Sequence, residues 1–136
     1  MNRKVFVQLS AKSEGNEENI ETFAWERKNG EKRSYCFFSD GTKYLLEFGK
    51  YLRVRREGEI RYEFSLDPDR QTKTKIYTAY GILEAVVKAE KGEYSEGEKG
   101  FVYRVKYDLN FGDSRQKHEI ELCVRDCTGM DAEGKE

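Results

Sequence analysis

The sequence predicts an all-β fold, an antiparallel meander closing into a barrel of about 8–10 strands. Three observations carry this. Apolar and polar residues alternate with period two along most of the 136 residues, as half-buried strands require. Turn signals such as Asn29-Gly30 and Asp67-Pro68-Asp69 interrupt the alternation at short intervals. No long stretch carries a helical period, the ambiguous 82–89 excepted. A sheet of many short hairpin-linked strands leaves exposed edges unless it closes on itself. A two-sheet sandwich is the second arrangement that the pattern allows.

The elements follow in order. Val5, Val7, Leu9 and Ala11 share the face of a first strand, and 13–18 is a polar turn. Residues 20–27 form a second strand with Phe23 and Trp25 on one side. Strands at 33–38 and 43–48 flank Ser39-Asp40-Gly41, and Gly49-Lys50 breaks the chain. Strands at 51–56 and 59–66 join at Glu57-Gly58. Strands at 72–78 and 82–89 flank Ala79-Tyr80-Gly81. The polar stretch 90–100 holds at most one short strand around Tyr94. Phe101 to Phe111 is the longest clean alternation, and Gly112-Asp113-Ser114 turns it into a strand bearing His118, Ile120, Leu122 and Val124 on one face. Pairing Phe111 with Gln116 sets Leu109 against His118 and Tyr107 against Ile120, so the apolar faces coincide. Residues 1–125 then make one barrel domain and 126–136 a polar, flexible tail.

Composition sets limits on function. Charged residues make up 38% of the chain and apolar residues 37%, with nine Tyr and eight Phe supplying core area. The net charge of -1 gives no global pull toward nucleic acid or an anionic membrane. No segment reaches the roughly 20 apolar residues of a membrane span, and the start lacks the apolar run of a signal peptide. Three scattered cysteines make no disulfide framework, which fits a reducing cytoplasm.

Further residues carry a family resemblance: Arg56-Glu57-Gly58-Glu59, Thr78-Ala79-Tyr80-Gly81-Ile82-Leu83-Glu84, and the Tyr107-Asp108-Leu109 strand with its closing hairpin. With the strand order upstream, from Val5-Phe6-Val7 and Ile20-Glu21, they resemble the bacterial YwiB-like family, a domain of unknown function. The family often has Pro where this chain has Ala79. The resemblance implies a lipocalin/calycin-like β-barrel with an interior cavity, and it implies no reaction.

The inner faces supply the candidate site residues. His118, the single histidine, points inward near a hairpin end. It is either hydrogen-bonded at the core edge or a polar anchor at the barrel mouth; no nucleophile accompanies it. His118 and Cys123 lie five apart on one strand and face opposite sides, which argues against a metal. Cys127 opens the expected tail, and Cys36 is a packed strand residue. For 53–56 the hairpin register decides. A turn of three residues or a bulge turns Leu52, Val54 and Arg56 inward and Arg53 and Arg55 to solvent, which buries apolar groups and spares two charges. Arg56 then sits at a rim, as an Arg reaching solvent or as an anchor for a carboxylate or phosphate. Tyr62, Tyr103 and Tyr107 share inner faces and need hydroxyl partners. Tyr80 is placed as a plug for one end. Lys73, Lys75, Arg104 and Lys106 form an outer basic stripe diluted by acids, with aromatics on the opposite parity, which argues against nucleic acid.

These readings lead to a non-catalytic cytoplasmic barrel that binds a small amphipathic or anionic molecule. Its polar contacts are Arg56, Tyr62, Tyr107 and His118, and its apolar lining is Phe64, Val105 and Ile120. No cofactor, metal, nucleic acid or membrane is expected, and a homodimer is left open. The alternative is a protein-interaction module with an exposed apolar patch around Phe6, Leu45 or Phe38.

Overall fold

The computed structural model describes residues 2–127. Its strands are β1 (Asn2–Ser13), β2 (Asn16–Asn29), β3 (Lys32–Ser39), β4 (Thr42–Phe48), β5 (Leu52–Glu57) and β6 (Tyr62–Leu66). They continue as β7 (Thr72–Thr78), β8 (Gly81–Ala89), β9 (Glu93–Glu96), β10 (Gly100–Asn110) and β11 (Arg115–Asp126). All pairings are antiparallel, in the order β6-β5-β4-β3-β2-β1-β11-β10-β8-β7, with β9 also beside β10. β8 and β9 cover successive stretches of β10, one against 107–110 and the other against 101–104. The Glu90 N–H bridges the interval by donating to the Lys106 carbonyl at 2.8 Å. The wall therefore has ten strand positions.

The first and last strands pair continuously, from Val5 with Asp126 to Ser13 with His118. The two remaining edges, β6 and β7, meet at a seam. One bridge joins Arg61 to Tyr77 through backbone bonds of 3.0 and 2.9 Å. Along the rest, threonine hydroxyls replace backbone donors. Thr74 Oγ1 donates to the Glu63 carbonyl at 2.8 Å and Thr72 Oγ1 to the Ser65 carbonyl at 3.3 Å. The result is a nearly closed antiparallel barrel, as the meander predicts.

Period-two alternation places the core inside. Val5, Val7 and Leu9, Tyr35 and Phe37, Leu52 and Val54, and Ile120, Leu122 and Val124 are buried in one cluster. At about 25 cal/mol per Å², this apolar burial is the main stabilising term. We call the end carrying the turns 14–15, 40–41, 57–61, 79–80 and 111–114 the upper end.

Several details differ from the sequence reading. The β10–β11 register is displaced by two residues: Leu109 opposes Gln116, Tyr107 opposes His118 and Val105 opposes Ile120. The turn is centred one residue earlier than expected, on Gly112-Asp113. The Phe111 N–H donates to the Ser114 carbonyl at 2.8 Å, and Gly112 adopts φ +98°. A shift of two leaves every side chain on its expected face. The 57–61 turn is longer than expected, so β6 begins at Tyr62 and Ile60 is exposed. Gly58 packs there against Thr42, whose Oγ1 would lie 2.7 Å from an added Cβ. Leu52, Val54 and Arg56 take the inner parity, opposite Leu66, Phe64 and Tyr62. Tyr80 plugs nothing. It is fully exposed at the tip of a turn in which the Thr78 hydroxyl accepts from the Tyr80 N–H and donates to the Gly81 carbonyl.

At the C-terminal end, Asp126 still belongs to β11 and donates its N–H to the Lys99 carbonyl. Cys127 is buried, its thiol donating to the Lys4 carbonyl at 2.9 Å. The wall thus runs past the expected boundary at 125, and the rest of the expected tail, 128–136, lies outside the described residues.

Candidate functional site

The inner faces of β5, β6, β10 and β11 bring five of the seven candidate residues into one chain of contacts near the upper end. Arg56 opposes Tyr62 across β5–β6. The Tyr62 and Phe64 rings stack at 4.0 Å between centroids. Phe64 meets Tyr107 at 5.9 Å, and Tyr107 stacks on His118 at 5.1 Å with the planes 12° apart. Val105 and Ile120, paired one step below, are packed core residues at 1% and 4% exposure. Phe64, Val105 and Ile120 line neither the seam groove nor the cavities beside His118 and Arg33.

A cavity lies at each end of this chain of rings. One, of about 350 Å³, is lined by Tyr107, His118, Ser13, Glu14, Lys12 and Lys117, among others. His118 is half-buried, and its Nε2–H donates to Gln116 Oε1 at 3.1 Å. Burial lowers its pKa below the ordinary histidine value, against opposing pulls from Glu14 and Asp108. The ring is held between Tyr107 and Gln116, and Ser13, its partner across β1–β11, lines the same cavity.

The other cavity is a groove of about 500 Å³ along the β6–β7 seam. Five cations line it, Arg55, Arg56, Arg61, Lys73 and Lys75, against the two acids Glu57 and Glu63. Both acids are engaged: Glu57 pairs with Arg55 at 3.1 Å and Glu63 with Arg53 at 3.2 Å. Arg61 lies over the Tyr77 ring at 4.7 Å. Arg56 lies over Tyr44 at 5.9 Å, and its Nε is buried without a hydrogen-bond partner. Burial raises the pKa of the Tyr62 hydroxyl, with Arg56 pulling the other way. In a chain of net charge -1, this groove concentrates positive charge beside a tyrosine ladder. It can receive an anion, with rings behind it for an apolar body.

Sequence reasoning missed the lower end. Arg33, on the inner parity two residues below Tyr35, lies over Phe101 at 4.6 Å and Phe48 at 5.6 Å. Arg33 and Phe48, with Tyr94 and Tyr103, line a cavity of about 750 Å³ together with Lys50, Lys91, Asp69 and Glu90. Its cations and acids are more nearly balanced, and against the pull of burial the neighbouring Tyr94 and Tyr35 hydroxyls hold the Arg33 pKa above its ordinary value. The inward parity of Arg33 was the available signal. Also missed was Glu26, which faces inward at 1% exposure and accepts from Arg3 Nε and from the Tyr35 hydroxyl, each at 2.7 Å.

Arg104 of the expected basic stripe pairs with Glu121 at 2.7 Å and Glu119 at 3.5 Å. Cys36, Cys123 and Cys127 are free thiols. Among the described residues, no group of three or more His, Cys, Asp or Glu side chains is placed to hold a metal. No helix is long and apolar enough to cross a membrane.

Comparison with known proteins extends the geometry. The model of a family described as a domain of unknown function, DUF1934, matches residues 7–122. The crystal structure of the ywiB protein from Bacillus subtilis superposes with a TM-score of 0.69 at 17% identity, covering 92% of this chain and 91% of that one. That likeness shows the same nearly closed antiparallel barrel. No curated protein matches the sequence.

Proposed function

Since the chain belongs to the DUF1934 family, a domain of unknown function, we propose from the site's own geometry that it is a non-catalytic barrel binding a small amphipathic anion at the β6–β7 groove. One observation carries this reading. Arg56 presents a buried Nε without a hydrogen-bond partner on the wall of a groove where cations outnumber acids. A buried donor left unpaired costs about 1–3 kcal/mol, and a carboxylate or phosphate oxygen would satisfy it. Arg61, Lys73 and Lys75 add long-range attraction, and Tyr62 and Tyr77 offer rings to the apolar body. Tyr107 and His118 close the far side of the ring ladder and hold Phe64 and Tyr62 in place. Val105 and Ile120 support them from below. Free thiols fit a reducing, cytoplasmic setting.

The test is calorimetric titration with laurate, an amphipathic carboxylate, and with inorganic pyrophosphate, a head group alone. Laurate is expected to bind the native barrel, and Arg56→Gln to weaken it about tenfold or more, the loss of one charge-assisted contact. Arg33→Gln, at the opposite mouth, is expected to leave binding unchanged. Absence of binding by both probes sinks the reading, as does a loss that follows Arg33 and ignores Arg56.

A further inference from the structure

The outer wall carries a feature that the groove does not use. On β2 the inward positions are Ile20, Thr22, Ala24 and Glu26, and the aromatics point out. Phe23 is 41% exposed and Trp25 58%. Phe6 of β1 lies against Phe23, its ring 5.4 Å away, and Cys36 of β3 lies against Trp25. Phe38, farther along β3 on the same face, is 65% exposed. With each aromatic side chain offering about 150–250 Å², Phe23, Trp25 and Phe38 alone expose roughly 250–400 Å². That is the size of patch that marks an interaction site. It would form the apolar centre of a standard interface of about 800 Å² per partner.

The order of residues along the strip says what covers it. The exposed face of β2 runs Glu21, Phe23, Trp25, Arg27, an acid, two aromatics and a base. The strip is self-complementary. A two-fold axis between Phe23 and Trp25 sets Phe23 of one copy on Trp25 of the other, and Glu21 on Arg27, each contact made twice. Lys4, opposite Trp25, carries its ammonium 4.7 Å over the Phe23 ring, and Asn19 and Glu17 continue the acidic end of the strip. No ion pair engages Arg27 among the described residues, and Glu21 takes only a 3.3 Å contact from Gln8. We propose that the partner of this face is a second copy of the chain, packed sheet on sheet with the two β2 strands antiparallel.

The proposal is independent of anion binding and has a test particular to its symmetry. Sedimentation velocity over a concentration series is expected to show a monomer–dimer equilibrium, with Trp25, the chain's one tryptophan, shifting its emission to the blue in the dimer. Glu21→Arg and Arg27→Glu are each expected to weaken dimerisation about tenfold or more, because like charges then face each other twice. The double variant Glu21→Arg with Arg27→Glu restores both pairs with their signs exchanged, and its dimer is expected to recover. All these positions are exposed, so an unchanged melting profile verifies folding. A monomer at every concentration overturns the proposal. So does a dimer indifferent to the single swaps, or a double variant no better than either single one. If the native chain stays monomeric and oligouridylate quenches Trp25, the face is a nucleic-acid platform and not a dimer interface.

Discussion

The Tyr35 hydroxyl donates to Glu26 Oε2 at 2.7 Å, between two side chains that water scarcely reaches. Arg3 holds the other oxygen from a partly exposed position. A buried carboxylate is tolerated only with its lone pairs filled. Burial, then hydrogen bonding to Glu26, raises the Tyr35 pKa, so the phenol stays a donor into strongly alkaline solution. Tyr35→Phe keeps the ring and removes the donor. It is expected to cost about 1.5–3 kcal/mol in urea denaturation, the range for a hydrogen bond to a charged group. A cost within error of zero would show that water enters and replaces the hydroxyl.

The seam offers a second prediction. Thr72 and Thr74 supply hydroxyl donors where neighbouring strands elsewhere pair through backbone. Thr74→Val keeps the shape and removes the donor, with an expected loss of about 0.5–1.5 kcal/mol. Amide exchange should quicken at Arg61 and Tyr77, whose bridge is the seam's one backbone pairing, while the β1–β11 ladder keeps its protection. Uniform quickening around the barrel would count against a locally weak seam.

His118 gives the pH dependence. Its folded-state pKa lies below the unfolded value, burial being the first cause. Its contribution to stability is therefore present above the unfolded histidine pKa of about 6.5 and lost as pH falls through the folded value. Denaturation midpoints of the native chain and of His118→Asn, compared from pH 8 to about 5, are expected to converge or cross toward the acid side. A difference independent of pH would mean that the ring titrates as it does in the unfolded chain.

Where alternation was strong, the fold was legible. The inner faces of β10 and β11 survive a register error of two because parity is unchanged. The inward turn of Arg56 followed from weighing Leu52 and Val54 against two arginines. β2 was harder, since its outer positions are the more apolar. Phe23 and Trp25 look out while Thr22 and Ala24 look in. The reason for Glu26 lies on two other strands, at Arg3 and Tyr35, which a local pattern does not reveal. The groove depends likewise on β5, β6 and β7 meeting at a seam built partly from side-chain hydroxyls. Arg56, Tyr62, Tyr107 and His118 were each assignable by parity. The ring ladder joining them follows from closure.

The pairing of β1 with β11 joins residues more than a hundred positions apart, from Val5 with Asp126 to Ser13 with His118. During synthesis the first strand can dock on β2 as soon as the hairpin emerges, and its other edge then waits for nearly the whole chain. Until the ribosome has released 115–126, that edge offers open backbone groups beside Val5, Val7 and Leu9, the kind of surface that nascent chains aggregate through and chaperones shield.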